Sequence, residues 1–149
     1  MMRAGRLAHQ IPETNSMERQ SMKIVTMIAR YLLGLMFLVF GSNMFFHFIP
    51  MGPMPAGSAG QFMGALFLTH YFYVVGALQV VSGILFLTNR FVGLGLVLLG
   101  PVLFNILVYH LLMDPGGIGM GAFATLLWLL VAWEHRIVFE KLFAARLAE

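Results

Sequence analysis

The stretch "FLTHYFYVVGALQVVSGILFLTNRFVGLGLVLLGPVLFNILVYHLL", residues 67–112, decides the fold of this protein. It holds two long apolar runs, and the link between them contains only Asn89 and Arg90. A run of about 20 apolar residues is long enough to cross a bilayer core as a helix. Because hydrocarbon offers the backbone no hydrogen-bond partners, each run is predicted to be helical. The short link predicts that the two helices lie side by side and antiparallel.

Composition extends this prediction to the whole chain. Of the 149 residues, 60% are hydrophobic and only 10% are charged, whereas soluble domains are typically about 45–50% apolar and about 25% charged. We therefore expect an integral membrane protein with the lipid bilayer as its surroundings. Two further apolar runs complete an all-α, antiparallel four-helix bundle, with spans at about 24–46, 67–87, 91–112 and 119–133.

The positions of the cations predict the orientation of the bundle. All nine lie before or at the start of the first span, in the second link, or after the last span: Arg3, Arg6, Arg19, Lys23, Arg30, Arg90, Arg136, Lys141 and Arg146. The links at 47–66 and 113–118 contain no Lys or Arg. The positive-inside rule then makes both termini cytoplasmic (N-in/C-in) in a bacterial cytoplasmic (inner) membrane. The net charge of +3 is thus a signal of topology, and no nucleic-acid partner is expected.

Three regions follow from these boundaries. Residues 1–22 are polar and are predicted to be a mobile cytoplasmic leader, and residues 23–133 form the transmembrane domain. Residues 134–149 have apolar positions on one helical face, which predicts an amphipathic helix on the inner membrane surface. A solvated extension of the fourth helix is the alternative for this last segment.

Glycines at a spacing of two helical turns predict close contacts between helices. Each of three spans carries such a pair, and small residues allow neighbouring backbones to approach. The six predicted packing glycines are Gly34, Gly41, Gly76, Gly83, Gly93 and Gly100.

Polar residues inside the spans predict a pocket open to the outer side, because polar groups at membrane depth usually point into the bundle. We expect Asn105 to face Gln79, and His110 to lie at the mouth, oriented by Asp114. The predicted ligand-binding residues are Asn43, His47, Gln79, Asn105, Tyr109, His110 and Asp114. The alternative is that the asparagines only hydrogen-bond neighbouring helices and that His70 is an ordinary interfacial ring.

The chain resembles the DoxX family of small four-helix membrane proteins, including its short DoxX-like members. The similarity rests on the order of "ARYLLGLMFLVFGSN" at 29–43, "HFIP" at 47–50 and the glycine- and polar-containing segment at 76–117. The resemblance covers residues 28–143. It implies an accessory membrane subunit, in some members similar to the small subunit of a thiosulfate:quinone oxidoreductase, rather than an enzyme that acts alone.

Three functional hypotheses remain open. In the first, the pocket binds a quinone or a lipid headgroup. In the second, the protein is a structural or assembly subunit, with partner subunits or further copies of itself. In the third, the outer face holds Cu(I) through His47, Met51 and Met54, or a haem between two of His47, His70 and His110. The chain has no cysteine, so thiol–disulfide exchange is excluded for this chain by itself.

Overall fold

The computed structural model of the protein describes residues 11–50 and 52–142, and all the regular secondary structure in them is helical. The first helix begins before the first predicted span, and a separate helix precedes the main helix of the second span. The elements are α1 (Ile11–Phe46), α2 (Gly57–Leu68), α3 (Tyr71–Leu87), α4 (Val92–Leu112), a single 3-10 turn (Pro115–Gly117), α5 (Ile118–Glu134) and α6 (Arg136–Leu142).

Helix α1 is 36 residues long and begins well before the predicted span. Residues 11–22, which the sequence assigned to a mobile leader, are therefore the first turns of this helix, whereas residues 1–10 lie outside the described residues. Ala29, Leu33 and Phe37 are buried at intervals of four residues. This spacing places them on the one face of α1 that packs against the other helices.

The predicted second span at 67–87 consists mainly of helix α3, and its first residues belong to the end of the separate helix α2. Helix α2 ends at Leu68, and the axes of α2 and α3 differ by 83°. The break lies at His70, whose φ of 61° is left-handed. The Thr69 hydroxyl donates to the Ala65 carbonyl at 2.7 Å, which helps to satisfy the end of α2.

The link between α3 and α4 has the hydrogen bonds of a Schellman motif. Asn89 is left-handed with a φ of 54°, its N–H donates to the Phe86 carbonyl, and the Arg90 N–H donates to the Leu85 carbonyl. Asparagine tolerates the left-handed conformation better than most residues, so α3 can end in this motif without a glycine. The motif ends α3 and lets α4 start at Val92.

Four helices form the packed body. Helix α1 contacts α3 and α5, and α4 contacts the same two helices. Their shared core consists of Ala29, Leu33, Phe37, Phe86, Val92, Leu96, Leu99, Val102, Leu103, Ala124, Leu127, Val131 and Ala132. Outward-facing apolar side chains, such as Leu35, Leu94 and Leu126, are at least half exposed on the outer surface. A surface of this kind is suited to contact with lipid.

Glycines bring α1 and α3 into backbone contact. A Cβ placed on Gly83 would lie 2.8 Å from the Gly34 carbonyl oxygen, and a Cβ on Gly41 would lie 2.9 Å from the Gly76 carbonyl oxygen. Such distances leave no room for a side chain. The other two glycines face side chains instead: a Cβ on Gly93 would lie 2.8 Å from Val138, and one on Gly100 would lie 3.4 Å from Trp128.

The helices identify a multi-pass membrane protein. Ser16–Phe46, Val92–Leu112 and Pro115–Glu134 are long and apolar enough to cross a bilayer, and the bent pair of α2 and α3 makes a fourth candidate span. The chain thus has three or four candidate spans.

The C-terminal helix α6 turns back onto the body. The Phe139 ring lies 5.9 Å from the Trp128 ring in an edge-to-face contact, and Val138 lies against Gly93. Ile137 and Leu142 are exposed. Helix α6 therefore covers the start of α4 with some of its apolar residues and leaves others at the surface, while residues 143–149 lie outside the described residues.

Candidate functional site

A cavity of about 870 Å³ lies where the C-terminal ends of α1 and α4, the N-terminal ends of α3 and α5, and helix α2 meet. We call this the α2 end of the molecule. The cavity walls are rich in aromatic rings and thioethers: Phe37, Phe40, Phe62, Phe67, Phe72, Met36, Met44, Met54, Met63 and Met120. A site of this size and composition is typical of a pocket for a small apolar molecule.

Five of the seven predicted ligand-binding residues line this one cavity. They come from α3, from α4 and from the turn after α4: Gln79, Asn105, Tyr109, His110 and Asp114. No Lys or Arg side chain lines it among the described residues. Its polar part is therefore built from amides, a phenol, an imidazole and one carboxylate.

Asn43 and His47 are used differently, and the described residues that line the cavity do not include them. The Asn43 side chain accepts a hydrogen bond from the Ile49 N–H at 2.6 Å and donates to the Ile49 carbonyl at 3.2 Å. It ties the chain leaving α1 to the end of that helix. His47 is exposed and left-handed, with a φ of 52°, immediately after α1.

Gln79 provides the deepest polar group of the cavity. Its side chain is 97% buried, since only 3% of its surface is exposed, and its Oε1 has no hydrogen-bond partner within the described part of the chain. Gly41 provides the space for it, because a Cβ on Gly41 would lie 2.8 Å from the Gln79 Cβ. A buried carbonyl oxygen without a partner costs about 1–3 kcal/mol. A hydrogen-bond donor placed in the cavity would remove this cost.

Asn105 lines the same cavity as Gln79, the residue that it was expected to face, and its side-chain hydrogen bond is made within α4. Its Nδ2 donates to the Pro101 carbonyl of its own helix at 2.9 Å. A carbonyl oxygen can only accept, so this contact fixes which end of the amide is nitrogen. The Asn105 Oδ1 is consequently the end that remains available as an acceptor.

His110 is held by the backbone rather than by a carboxylate. Its Nδ1 donates to the Asp114 carbonyl oxygen at 2.7 Å, so Asp114 orients the ring through its main chain. With the proton on Nδ1, the neutral ring presents Nε2 as an acceptor. The ring also occupies the space above Gly117, because a Cβ there would lie 2.7 Å from both ring nitrogens.

Helix α2 covers the polar side of the cavity, a role that the sequence analysis did not assign. The Phe62 ring lies 5.8 Å from the Tyr109 ring, and the Tyr109 ring lies 5.0 Å from the His110 ring. Pro53, Met54 and Pro55 line the same cavity from the preceding loop. The large apolar residues Phe62, Met63 and Phe67 among the small residues of α2 were the available signal.

The Cu(I) and haem sites remain predictions, because the proposed copper ligand Met51 lies outside the described residues and a haem needs only two imidazoles. The part of the chain that the structure describes contains no group of three or more His, Cys, Asp or Glu side chains placed to hold a metal ion. Met54 lines the cavity while His47 does not, and Met51 lies outside the described residues. The exposed His70 ring contacts Tyr73 at 5.9 Å, whereas His110 is bonded to Asp114.

Arg30 and Ser82 are further buried polar residues that were not predicted as part of the site. Arg30 is 6% exposed and donates through Nη1 to the Phe86 carbonyl near the end of α3, where a cation also complements the helix dipole. Ser82 is fully buried, and its Oγ has no hydrogen-bond partner among the described residues. Neither residue lines the cavity.

A shallower concavity lies at the other end of the molecule. The start of α1 and the end of α5 meet there, and both signs of charge line it: Glu18, Arg19, Met22, Lys23, Glu134 and Arg136. This end carries cations, whereas the α2 end carries the polar cavity without them. The comparisons add no relative: no protein-family model, no curated protein and no solved structure matches this chain.

Proposed function

We propose that this chain is a DoxX-like accessory subunit of a larger, redox-linked complex in the bacterial cytoplasmic membrane, and that its cavity binds the headgroup of a quinone or a lipid. The unpartnered Oε1 of buried Gln79 carries this proposal. Gln79 lines a large apolar cavity, and its buried acceptor would be satisfied by a membrane-soluble molecule whose headgroup carries a hydroxyl donor.

The shape and chemistry of the cavity support this class of ligand. The phenylalanines suit an aromatic ring or acyl chain, and the polar groups near Tyr109 and His110 suit the oxygen atoms of a headgroup. The lining includes the Asp114 carboxylate and no described Lys or Arg, which disfavours an anionic phosphate. The chain contains no cysteine, and in this proposal electrons pass through the partner subunit that the family resemblance implies.

The proposed topology is an antiparallel four-span bundle with both termini in the cytoplasm. Its support is the order of the glycine contacts: Gly34 lies against Gly83, while Gly41, further along α1, lies against the earlier residue Gly76. Arg19, Lys23 and Arg136 meet at one end of the molecule. The positive-inside rule assigns that end to the cytoplasm, and the α2 end with its cavity then faces outward.

The alternative is a purely structural subunit whose polar residues bond one helix to another. The bonds of the two asparagines favour this less, because Asn43 bonds to Ile49 just beyond its own helix and Asn105 bonds within its own helix. Neither amide joins two transmembrane helices through these bonds. Arg30 does join α1 to α3, through the Phe86 carbonyl, but it lies outside the cavity.

The test is to purify the protein from its native membrane in mild detergent, extract it with organic solvent and quantify quinones and lipids per protein molecule. We expect one class of molecule to co-purify near one equivalent, and Gln79→Leu to lower its occupancy. Ser82→Ala is the matched control, since it removes an unpartnered buried oxygen from the same helix outside the cavity. Equal occupancy in wild type and Gln79→Leu, or none in wild type, would contradict the proposal.

A further inference from the structure

Asn105 and His110 each keep an acceptor atom that their own hydrogen bonds leave free. One N–H of the Asn105 amide and the N–H at His110 Nδ1 are both engaged by backbone carbonyls, at 2.9 Å and 2.7 Å. What remains for a ligand is the Asn105 Oδ1, the second N–H of that amide and the His110 Nε2, and two of these three are acceptors when the ring is neutral. The backbone of α4 and of the following turn therefore sets the hydrogen-bonding character of the site.

Gln79 adds a third acceptor at the buried end of the same cavity. Its Oε1 lacks a partner within the described part of the chain, and its side chain is only 3% exposed. The Asp114 carboxylate, which also lines the cavity, accepts as well when ionised. Hydroxyl donors on a ligand would form hydrogen bonds with these atoms. Carbonyl oxygens on a ligand could not, because they are acceptors too and would be repelled.

From this arrangement we infer that the cavity selects a ligand that donates hydroxyl hydrogen bonds, and that among membrane quinones it binds the reduced quinol in preference to the oxidised quinone. This inference rests on the proposed function and specifies its ligand. A quinol carries two O–H donors on an aromatic ring, and the ring matches the Phe37, Phe40 and Phe62 walls. A quinone has the same shape but only acceptor oxygens.

The size of the preference follows from the cost of unpaired acceptors. A site built around buried hydrogen-bonding groups strongly rejects an analogue that leaves them unpaired. For one buried neutral acceptor we expect quinol to bind roughly tenfold more tightly than quinone, and more if two acceptors are engaged.

The experiment is anaerobic calorimetric titration of the purified, delipidated protein with a short-chain ubiquinol, the matching ubiquinone, and the dimethyl ether of that quinol. The ether keeps the ring but loses both donors. We expect the quinol to bind with the lowest Kd, and the quinone and the ether to bind at least about tenfold more weakly. A diacylglycerol arm tests whether a lipid hydroxyl satisfies the same acceptors.

Variants link the preference to the named atoms. Gln79→Leu and, independently, Asn105→Leu should bring the quinol-to-quinone ratio of Kd values toward one, whereas Ser82→Ala should leave it unchanged. Asn105 provides the second variant in case Gln79→Leu fails to fold, because Asn105 is exposed and bonds only its own helix.

The outcomes distinguish a failure of the quinol preference from a failure of the proposed quinone or lipid site. Equal or tighter binding of the quinone would overturn the donor preference and leave the proposed quinone site intact. Binding of diacylglycerol without either quinone form would overturn the quinol assignment and retain a lipid site. If none of the four ligands binds, the proposed function fails together with the inference.

Discussion

At the scale of single residues, backbone carbonyls decide what the polar side chains can do. Asn105 and His110 differ in type, yet each gives one N–H to a carbonyl oxygen and keeps an acceptor. Sequence reasoning identified both residues as candidates for the site. It could not assign their hydrogen-bonding roles, because a side chain of either kind can donate or accept until its neighbours are known.

Gly117 is expected to matter for ligand binding because it leaves the space that the His110 ring occupies. Gly117→Ala fits the local backbone, since φ is −94°, but its Cβ would occupy the space of the imidazole. The ring can rotate away cheaply, so thermal stability should change by less than about 1 kcal/mol while binding weakens roughly tenfold. Calorimetric titration in detergent measures the loss. Gly119→Ala is the control, because a Cβ there meets nothing within 4 Å.

Asn43 is expected to matter for stability and not for the ligand. Its two bonds to Ile49 hold the chain beyond α1, so Asn43→Ala should lower the free energy of unfolding by about 0.5–1.5 kcal/mol. Ligand affinity should stay within about twofold of wild type, because Asn43 does not line the cavity. Thermal unfolding and titration of the same preparation separate the two effects. A loss of ligand affinity without a loss of stability would contradict this expectation and support the predicted role of Asn43 in ligand binding.

At the scale of elements, the crossing of α1 and α3 and the position of α2 shape the cavity. Glycines let the two backbones touch, and the same contact at Gly41 seats Gln79. The sequence predicted small residues at the contact from their spacing. It did not predict the 83° break that separates α2 from α3, because the left-handed residue there is His70 and not a glycine.

Gly83→Ala should separate these helices. The added Cβ would lie 2.8 Å from the Gly34 carbonyl oxygen and from the Leu38 nitrogen, and backbone atoms cannot move aside as a side chain can. We expect a loss of about 1–3 kcal/mol, seen as a lower midpoint of thermal unfolding in detergent. Gly64→Ala in α2 is the matched control, since a Cβ there meets nothing within 4 Å, and should be neutral. A neutral Gly83→Ala would mean that the contact is looser than described.

At the scale of the whole molecule, one end gathers charge and the other holds a mostly apolar cavity. Glu18, Arg19 and Lys23 meet Glu134 and Arg136 at the first end, and no described Lys or Arg lines the cavity at the second. Such a division gives a membrane protein a defined orientation.

The absence of cysteine makes the proposed orientation testable with single labels. Ser58→Cys, exposed in α2, should react in intact cells with a membrane-impermeant maleimide, whereas Glu140→Cys, exposed in α6, should react only after lysis. A reporter fused after Glu149 should be active in the cytoplasm. Labelling of Glu140→Cys from outside would reverse the assignment of the cavity to the outer face.

The sequence by itself determined that the protein is helical and passes through a membrane several times, because apolar run length and backbone desolvation leave no other structure. It also identified the polar residues that had to be explained. Only the tertiary structure decided which of these residues line the same cavity, that Asn43 and His47 are not among them, and that α2 covers it. The physical reason is that hydropathy records burial along the chain, whereas a site depends on side-chain directions across helices, and these are set by packing at glycines and by bonds to individual carbonyl oxygens.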